Sequence, residues 1–251
     1  MANDNYNSWG LTGRALPARV ADNTYGEMRT SSRGELCVQP LGKAMQGHAD
    51  EGGYFVATNP TIGTGIVGIT AADGYDATET LYLLSNTATE SEAVRVYLDF
   101  LEIACTVVDA NGTNIRIDYH IDNISRFTSG GSAITPVNAN MDSTATAKAT
   151  LRFGAIVSPA ASSSVRYLGG RLISSTDLVV DDVIRLDFGG GGTAQGTTSH
   201  LPAEATLSRY WQIAAPPVVL GPGDCFLFSV NCASQATTGA TWSFNTGWYE
   251  R

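Results

Sequence analysis

Charge is scarce in this chain. Only 16% of its 251 residues are Asp, Glu, Lys or Arg, against about 25% in an average soluble domain. No lysine follows Lys148, and acidic residues outnumber basic ones by 24 to 15, for a formal net charge of −9. This balance argues against nucleic acid as a direct partner, because phosphate binding needs clustered Lys and Arg and the arginines here are scattered. It fits a soluble surface, or a partner with a basic patch. Long apolar runs are missing too. None approaches the roughly 18 residues of a membrane span, so no membrane contact is expected. The N-terminus, MANDNYNSWG, has neither the basic segment nor the apolar run of a secretory signal. Cysteine is sparse: Cys37, Cys105, Cys225 and Cys232 lack the C-x-x-C spacing of a zinc site. Cys225 and Cys232 could pair, but free thiols in a reducing cytoplasm are the expected state.

Small β-tolerant residues take the place of the absent charges. Thr, Ser, Ala, Gly and Asn are abundant, and 43% of the chain is hydrophobic. That is enough for a real core in one large domain or two small ones. Residues 1–52 differ from the rest. Isolated apolar residues such as Trp9, Leu11 and Leu16 stand among Pro, Arg, Asn and Gly, with no period of a core element. Such a segment buries too little apolar surface to offset its own ordering entropy. Trp9 and the spaced leucines suit an extended arm that orders along a neighbouring subunit better than a free tail.

From Tyr54 onward the chain reads as strands. Ile115, Ile117, Tyr119 and Ile121 alternate with Arg116, Asp118, His120 and Asp122, the period-two pattern of a half-buried strand. Asn111-Gly112 before it is a hairpin signal that demands a strand upstream. That upstream segment, Glu90–Val108, fits either a helix stripe or a strand with a one-residue slip near Phe100. Its β-branched content and the Asn-Gly turn favour the strand, with the slip as a β-bulge. Further strands are expected around Leu151–Val157, Val165–Ile173, Leu178–Phe188, Thr206–Ile213, Cys225–Asn231 and Thr241–Tyr249. Some eight to ten turn-punctuated strands predict an all-β antiparallel sandwich of jelly-roll type over residues 53–251.

Two motifs suggest chemistry. Gly63-Thr64-Gly65-Ile66-Val67-Gly68 spells G-x-G-x-x-G, but Asn59-Pro60 interrupts it upstream and turn formers follow it. A dinucleotide site needs a helix opening there, so these glycines read as conformational residues. Asp118, His120 and Asp122 share one strand face and are good ligand types for a divalent metal. A solvated strand face beside Arg116 is the preferred reading, and no metal or cofactor is expected. Asp181-Asp182 reads as a turn into a strand, and His48 and His200 as loop residues. Trp242, Phe244, Trp248 and Tyr249 on the last strand could stack sugars, although alternating aromatics more often line a core or an interface. No nucleophile elbow, P-loop or H-E-x-x-H motif is present, so no enzyme is expected.

Three passages carry a resemblance: RGELCVQPLGKAMQGHADEGGYFVATNPTIGTGIVG, RFTSGGSAITPVNANMDS and GPGDCFLFSVNCASQATTGATWSFNTGWYER. They cover well under half of the chain. In them the chain resembles virion structural proteins of tailed bacteriophages, in particular capsid decoration (cement) proteins. The resemblance implies a non-enzymatic jelly-roll protein, trimeric on an icosahedral shell and bound to the major capsid protein. It places the protein on the virion surface after assembly in the host cytoplasm. The arm would clamp neighbouring subunits through Trp9, Leu11, Arg14, Leu16 and Arg19. The last strand would pack at the three-fold axis through Trp242, Phe244, Trp248 and Tyr249. The competing expectations are a receptor-binding fibre module that reads a host glycan, and an enzyme, either a jelly-roll hydrolase or a cupin-like metalloprotein; three scattered histidines speak against the cupin.

Overall fold

The computed structural model describes residues 44–61, 63–67, 78–108, 115–174, 179–189, 210–232 and 240–251. They belong to one unit of the chain, Lys43–Arg251. They form one short helix, α1 (Ala44–Asp50), and two β-sheets. The first sheet runs β11 (Tyr210–Ala215), β10 (Val183–Phe188), β4 (Val96–Val107), β14 (Thr241–Glu250), β1 (Tyr54–Thr58), β7 (Val137–Asn138). Two short strands join it: β12 (Val219–Leu220) pairs with β4, and β2 (Ile66–Val67) with β14. The second sheet runs β6 (Ser129–Ile134), β8 (Ala149–Val157), β3 (Glu79–Asn86), β13 (Cys225–Cys232), β5 (Ile115–Asp122), β9 (Arg166–Ser174).

The all-β expectation holds, with two corrections to strand pairing. The pair β10–β11 is parallel, Val183 facing Tyr210 and Phe188 facing Ala215. A parallel neighbour needs a long crossover, and the chain between Phe188 and Tyr210 supplies the length. The Asn-Gly signal does not join a hairpin either. β4 pairs with β10, β12 and β14, whereas β5 pairs with β13 and β9, so the chain changes sheets between them. Asn111-Gly112 itself lies outside the described residues.

The slip expected near Phe100 is there. Along β4, Gly247 faces Phe100 and the next residue, Trp248, faces Leu98, so Asp99 is the extra residue. Inward alternation breaks at that point: Val96 and Leu98 are buried before it, and Leu101, Ile103 and Cys105 after it. The bulge leaves two consecutive side chains, Asp99 and Phe100, on the opposite face.

The inner faces of the two sheets share one core. Leu101, Ile103, Ile184, Leu186 and Phe244 from the first sheet meet Tyr82, Leu84, Ile117, Phe153 and Phe226 from the second. Phe153 and Phe244 stack at 4.3 Å, and Phe188 meets Phe226 edge-on at 5.3 Å. The Tyr82 hydroxyl reaches across to Thr246 Oγ1 at 3.1 Å, so its one polar atom is satisfied. Each such fully buried apolar side chain contributes roughly 1.5–3 kcal/mol. β3 is buried on both faces, because Leu83 joins a second, smaller cluster with Ile156, Cys225 and Leu227 on the far side of its sheet.

Residues 44–52, the last of the expected arm, carry α1 and a turn back into β1. Gly53 N donates to His48 O at 2.9 Å, and Glu250 N to Gly53 O at 2.8 Å. The glycines of the G-x-G-x-x-G stretch have local causes. Gly63 has φ +78°, and a Cβ at Gly65 would overlap the hydroxyls of Thr106 and Thr241.

Candidate interaction surface and a buried polar cluster

The outer face of the first sheet carries aromatic and charged side chains in ordered contact. On β10, Arg185 donates from Nε to Asp187 at 2.8 Å and from Nη1 to Glu102 at 3.2 Å. Its guanidinium lies over the Phe100 ring, 4.7 Å from the centroid. Gln212 Nε2 on β11 donates to Asp187, and the Tyr210 hydroxyl points to Glu102 at 3.5 Å. Toward β1, the Tyr54 hydroxyl donates to Asp99 at 2.6 Å. Burial first, and then this bond to a carboxylate, push the Tyr54 phenol well above its ordinary pKa. Gly247 makes room for the arrangement, since a Cβ there would strike both Tyr54 and Phe100. At the α1 end, the rings of His48, Tyr249 and Tyr97 form one stack, with centroids 4.1 Å and 4.6 Å apart and planes within 7°.

This face presents aromatic and cationic side chains to the surface. Arg185 is 30% exposed and Tyr210 is 44% exposed. Arg and Tyr are the residue types that dominate interface energetics. They stand here on strands, with rotamers held by neighbours, so little ordering entropy is lost on contact.

Only part of the expected interface lies on this face. Trp242, Phe244 and Trp248 point inward and are 0–2% exposed, which makes them core residues of their own sheet pair. The expectation that they form a subunit contact is corrected. Strand parity explains it: they share the inward side of β14, and the adjacent Tyr249 takes the outward side. Trp9, Leu11, Arg14, Leu16 and Arg19 lie outside the described residues.

The polar face of β5 is also corrected. It is buried, not solvated: Asp118, His120 and Asp122 are all at most 5% exposed. Over His120 and Asp122 lie the strap 123–128 that follows β5 and the turn 158–164 that follows β8. Arg126 in the strap is fully buried. Its Nε and Nη2 donate to Pro159 O, at 3.1 and 2.5 Å, and its Nη1 donates to His120 Nε2 at 2.8 Å. Asp122 lies 3.8 Å from Arg126 Nε. It accepts from Ser162 N at 2.9 Å, from the Ser162 hydroxyl, and from Asn123 N at 2.9 Å. Burial alone would raise the Asp122 carboxyl, but these hydrogen bonds and the Arg126 charge outweigh it and hold the pKa below its ordinary value.

Arginine can only donate, so His120 Nε2 is an acceptor and the ring carries its proton on Nδ1. Burial, then the Arg126 charge, push the His120 pKa down to about 4, against the opposing pull of Asp122. The ring packs at 5.3 Å from Tyr167. Cys225 faces Asp122 on the next strand, which brings a thiol and a carboxylate together. The thiol is not a nucleophile here. It donates to Ile124 O at 3.0 Å, and burial pushes its pKa up to about 11, far from the thiolate range that reactive cysteines occupy. Cys225 and Cys105 are both free thiols.

The remaining expectations fall as follows. Among the described residues, no three His, Cys, Asp or Glu side chains are placed to hold a metal ion. Asp118 faces Arg116 at 3.1 Å instead. Ile66 and Val67, between the second and third glycines of the G-x-G-x-x-G stretch, are strand β2, where a dinucleotide fingerprint needs helix. Asp181 has φ +68° and leads into β10, and Asp182 accepts from Val179 N at 2.9 Å, so this pair is a turn. His48 is on α1 and not in a loop, and His200 lies outside the described residues. Sequence reading passed over Arg126, Arg185 and the bulged Asp99. Arg126 had one signal, the apolar Ile124 and Phe127 on either side of it in a non-strand segment. No protein-family model, no curated protein and no solved structure matches the chain.

Proposed function

We propose that this chain is a jelly-roll decoration protein of a tailed-phage capsid. It assembles as a homotrimer and binds the outer surface of the major capsid protein shell. The strand order supports the jelly roll. In chain order, take β1, β3, β4, β5, β9, β10, β13 and β14 as the eight strands of the barrel. The first sheet then reads first-eighth-third-sixth, and the second reads second-seventh-fourth-fifth. Two interleaved Greek keys give that order, and viral capsid domains use it, as lectins and cupins do. Function has to rest on a site as well as on a fold.

The observation that carries the reading is the ordered outer face around Phe100, Arg185 and Tyr210. A sheet face with a preset ionic network suits broad attachment to another protein. The glycan-reading alternative loses its main support, since three of the four aromatics it needed are in the core. The test is co-sedimentation of the full chain with capsid shells assembled from the source phage's major capsid protein. The wild type co-sediments, and Tyr210→Ala weakens binding by roughly tenfold, as removal of an interface anchor does. A wild-type chain that stays in the supernatant contradicts the proposal.

A further inference from the structure

The strap 123–128 packs Phe127 on the second apolar cluster, Leu83, Ile156, Cys225 and Leu227, and the turn 158–164 is hydrogen-bonded to the strap. The strap's end is fixed by Thr128 N donating to Val157 O at 3.0 Å, and Ile124 O accepts from the Cys225 thiol; the remaining polar attachment converges on a few side chains. Arg126 ties strap to turn through Pro159 O, and strap to sheet through His120 Nε2. Ser162 ties turn to sheet through Asp122. This geometry has one titratable acceptor that cannot take a proton and keep its bond. If His120 gains a proton at Nε2, Arg126 loses that acceptor, and two cations face each other in a buried site.

The geometry points to an acid-released latch: a proton on His120 frees the strap and uncovers the apolar cluster together with the Cys225 thiol. This goes beyond the proposed capsid attachment and does not depend on it. The charged and titratable groups around His120 decide its strength. On its own strand are Asp118, committed to Arg116, and Asp122, committed to Ser162, Asn123 and Arg126. The strap presents Arg126, β9 presents the Tyr167 ring, and β13 presents the neutral Cys225 beside apolar Leu227. One carboxylate therefore faces two cations once His120 is charged. Opening hydrates both cations, so the open state binds the proton more tightly than the closed one.

The size of the effect follows from linkage. An open-state imidazole with a pKa of about 6.5 and a closed-state one at about 4 favour opening roughly a hundredfold more at pH 4 than at pH 7. The full chain is labelled with 4,4′-dithiodipyridine at about pH 7 and about pH 4, and the modified peptides are mapped. Cys105, fully buried in the main core, is the internal reference. The ratio of Cys225 to Cys105 labelling rises by up to that hundredfold on acidification. In His120→Gln, whose amide oxygen accepts from Arg126 but does not titrate in this range, the ratio stays level. An unchanged ratio in the wild type overturns the latch. So does Cys105 becoming reactive in step with Cys225, since that marks global unfolding. The wild-type measurement decides the matter even where the variant fails to fold. An equal rise in a folded His120→Gln also overturns it.

Discussion

Arg126 Nη1 donates to His120 Nε2 at 2.8 Å, and the two side chains are 0% and 1% exposed. A permanently charged guanidinium is thereby held under a surface strap, with an imidazole and a backbone carbonyl as its main acceptors. Truncation of a buried charge partner is costly, because the groups left behind are desolvated and unpaired. Arg126→Ala is expected to lower stability by about 3–5 kcal/mol in urea unfolding at neutral pH. Arg126→Lys recovers little of it, since an ammonium cannot match the planar fork that spans Pro159 O and His120. A loss below about 1 kcal/mol for Arg126→Ala would show that the strap does not hold the sheet.

Stability depends on pH through the same pair. The His120 pKa is lower in the folded chain than in the unfolded one. Between about pH 6.5 and about pH 4 the unfolded state therefore binds more protons, and stability falls as pH falls. The contribution is fully present above about pH 6.5, and its loss amounts to roughly 3 kcal/mol. Urea midpoints across this window should drop in the wild type and drop less in His120→Gln. Parallel slopes in the two proteins count against the assignment.

Gly63 and Gly65 of the G-x-G-x-x-G stretch are conformational. Gly65→Ala pushes a methyl group into Thr106 and Thr241, whose hydroxyls are 2.7 Å apart across β4 and β14. Overpacking of this kind costs about 1–3 kcal/mol. Thermal unfolding measures the loss. Isothermal titration with NAD should give no heat for the wild type, and micromolar binding would reinstate the nucleotide reading.

The last strand separates core from surface at adjacent residues. Trp248→Ala should cost about 3–5 kcal/mol, as large-to-small changes at buried aromatics do. Tyr249→Ala removes a half-buried ring from the stack with His48 and Tyr97 and should cost about 1 kcal/mol. Equal losses at the two positions would contradict the inward and outward assignment.

How legible all this is in the sequence varies by element. The β4 bulge is readable because two inward runs, Val96–Leu98 and Leu101–Cys105, are out of phase by one residue. β10 is readable from the alternation of Ile184, Leu186 and Phe188. The partner of a strand is less so. Asn-Gly signals a turn but not the sheet to which the next strand belongs, and nothing in Tyr210–Ala215 marks a parallel edge. Burial on β5 is illegible for a related reason. Asp118, His120 and Asp122 alternate as a solvated face would, and only the strap beyond the strand turns that face into an interior. The outward network of Arg185 joins three strands, so no single segment contains its pattern.

A trimer would cover sheet edges that this chain has few charges to protect. Light scattering on the full chain at micromolar concentration should give three times the chain mass of 26.4 kDa. A monomer that persists at every concentration would leave the proposed trimer without support in solution.

A cryo-EM map of the source particle tests attachment to the shell. A two-sheet density of this size should repeat over the whole capsid surface. The outer face that bears Phe100, Arg185 and Tyr210 should meet the major capsid protein. A capsid surface without such density, or density confined to the tail, would contradict it.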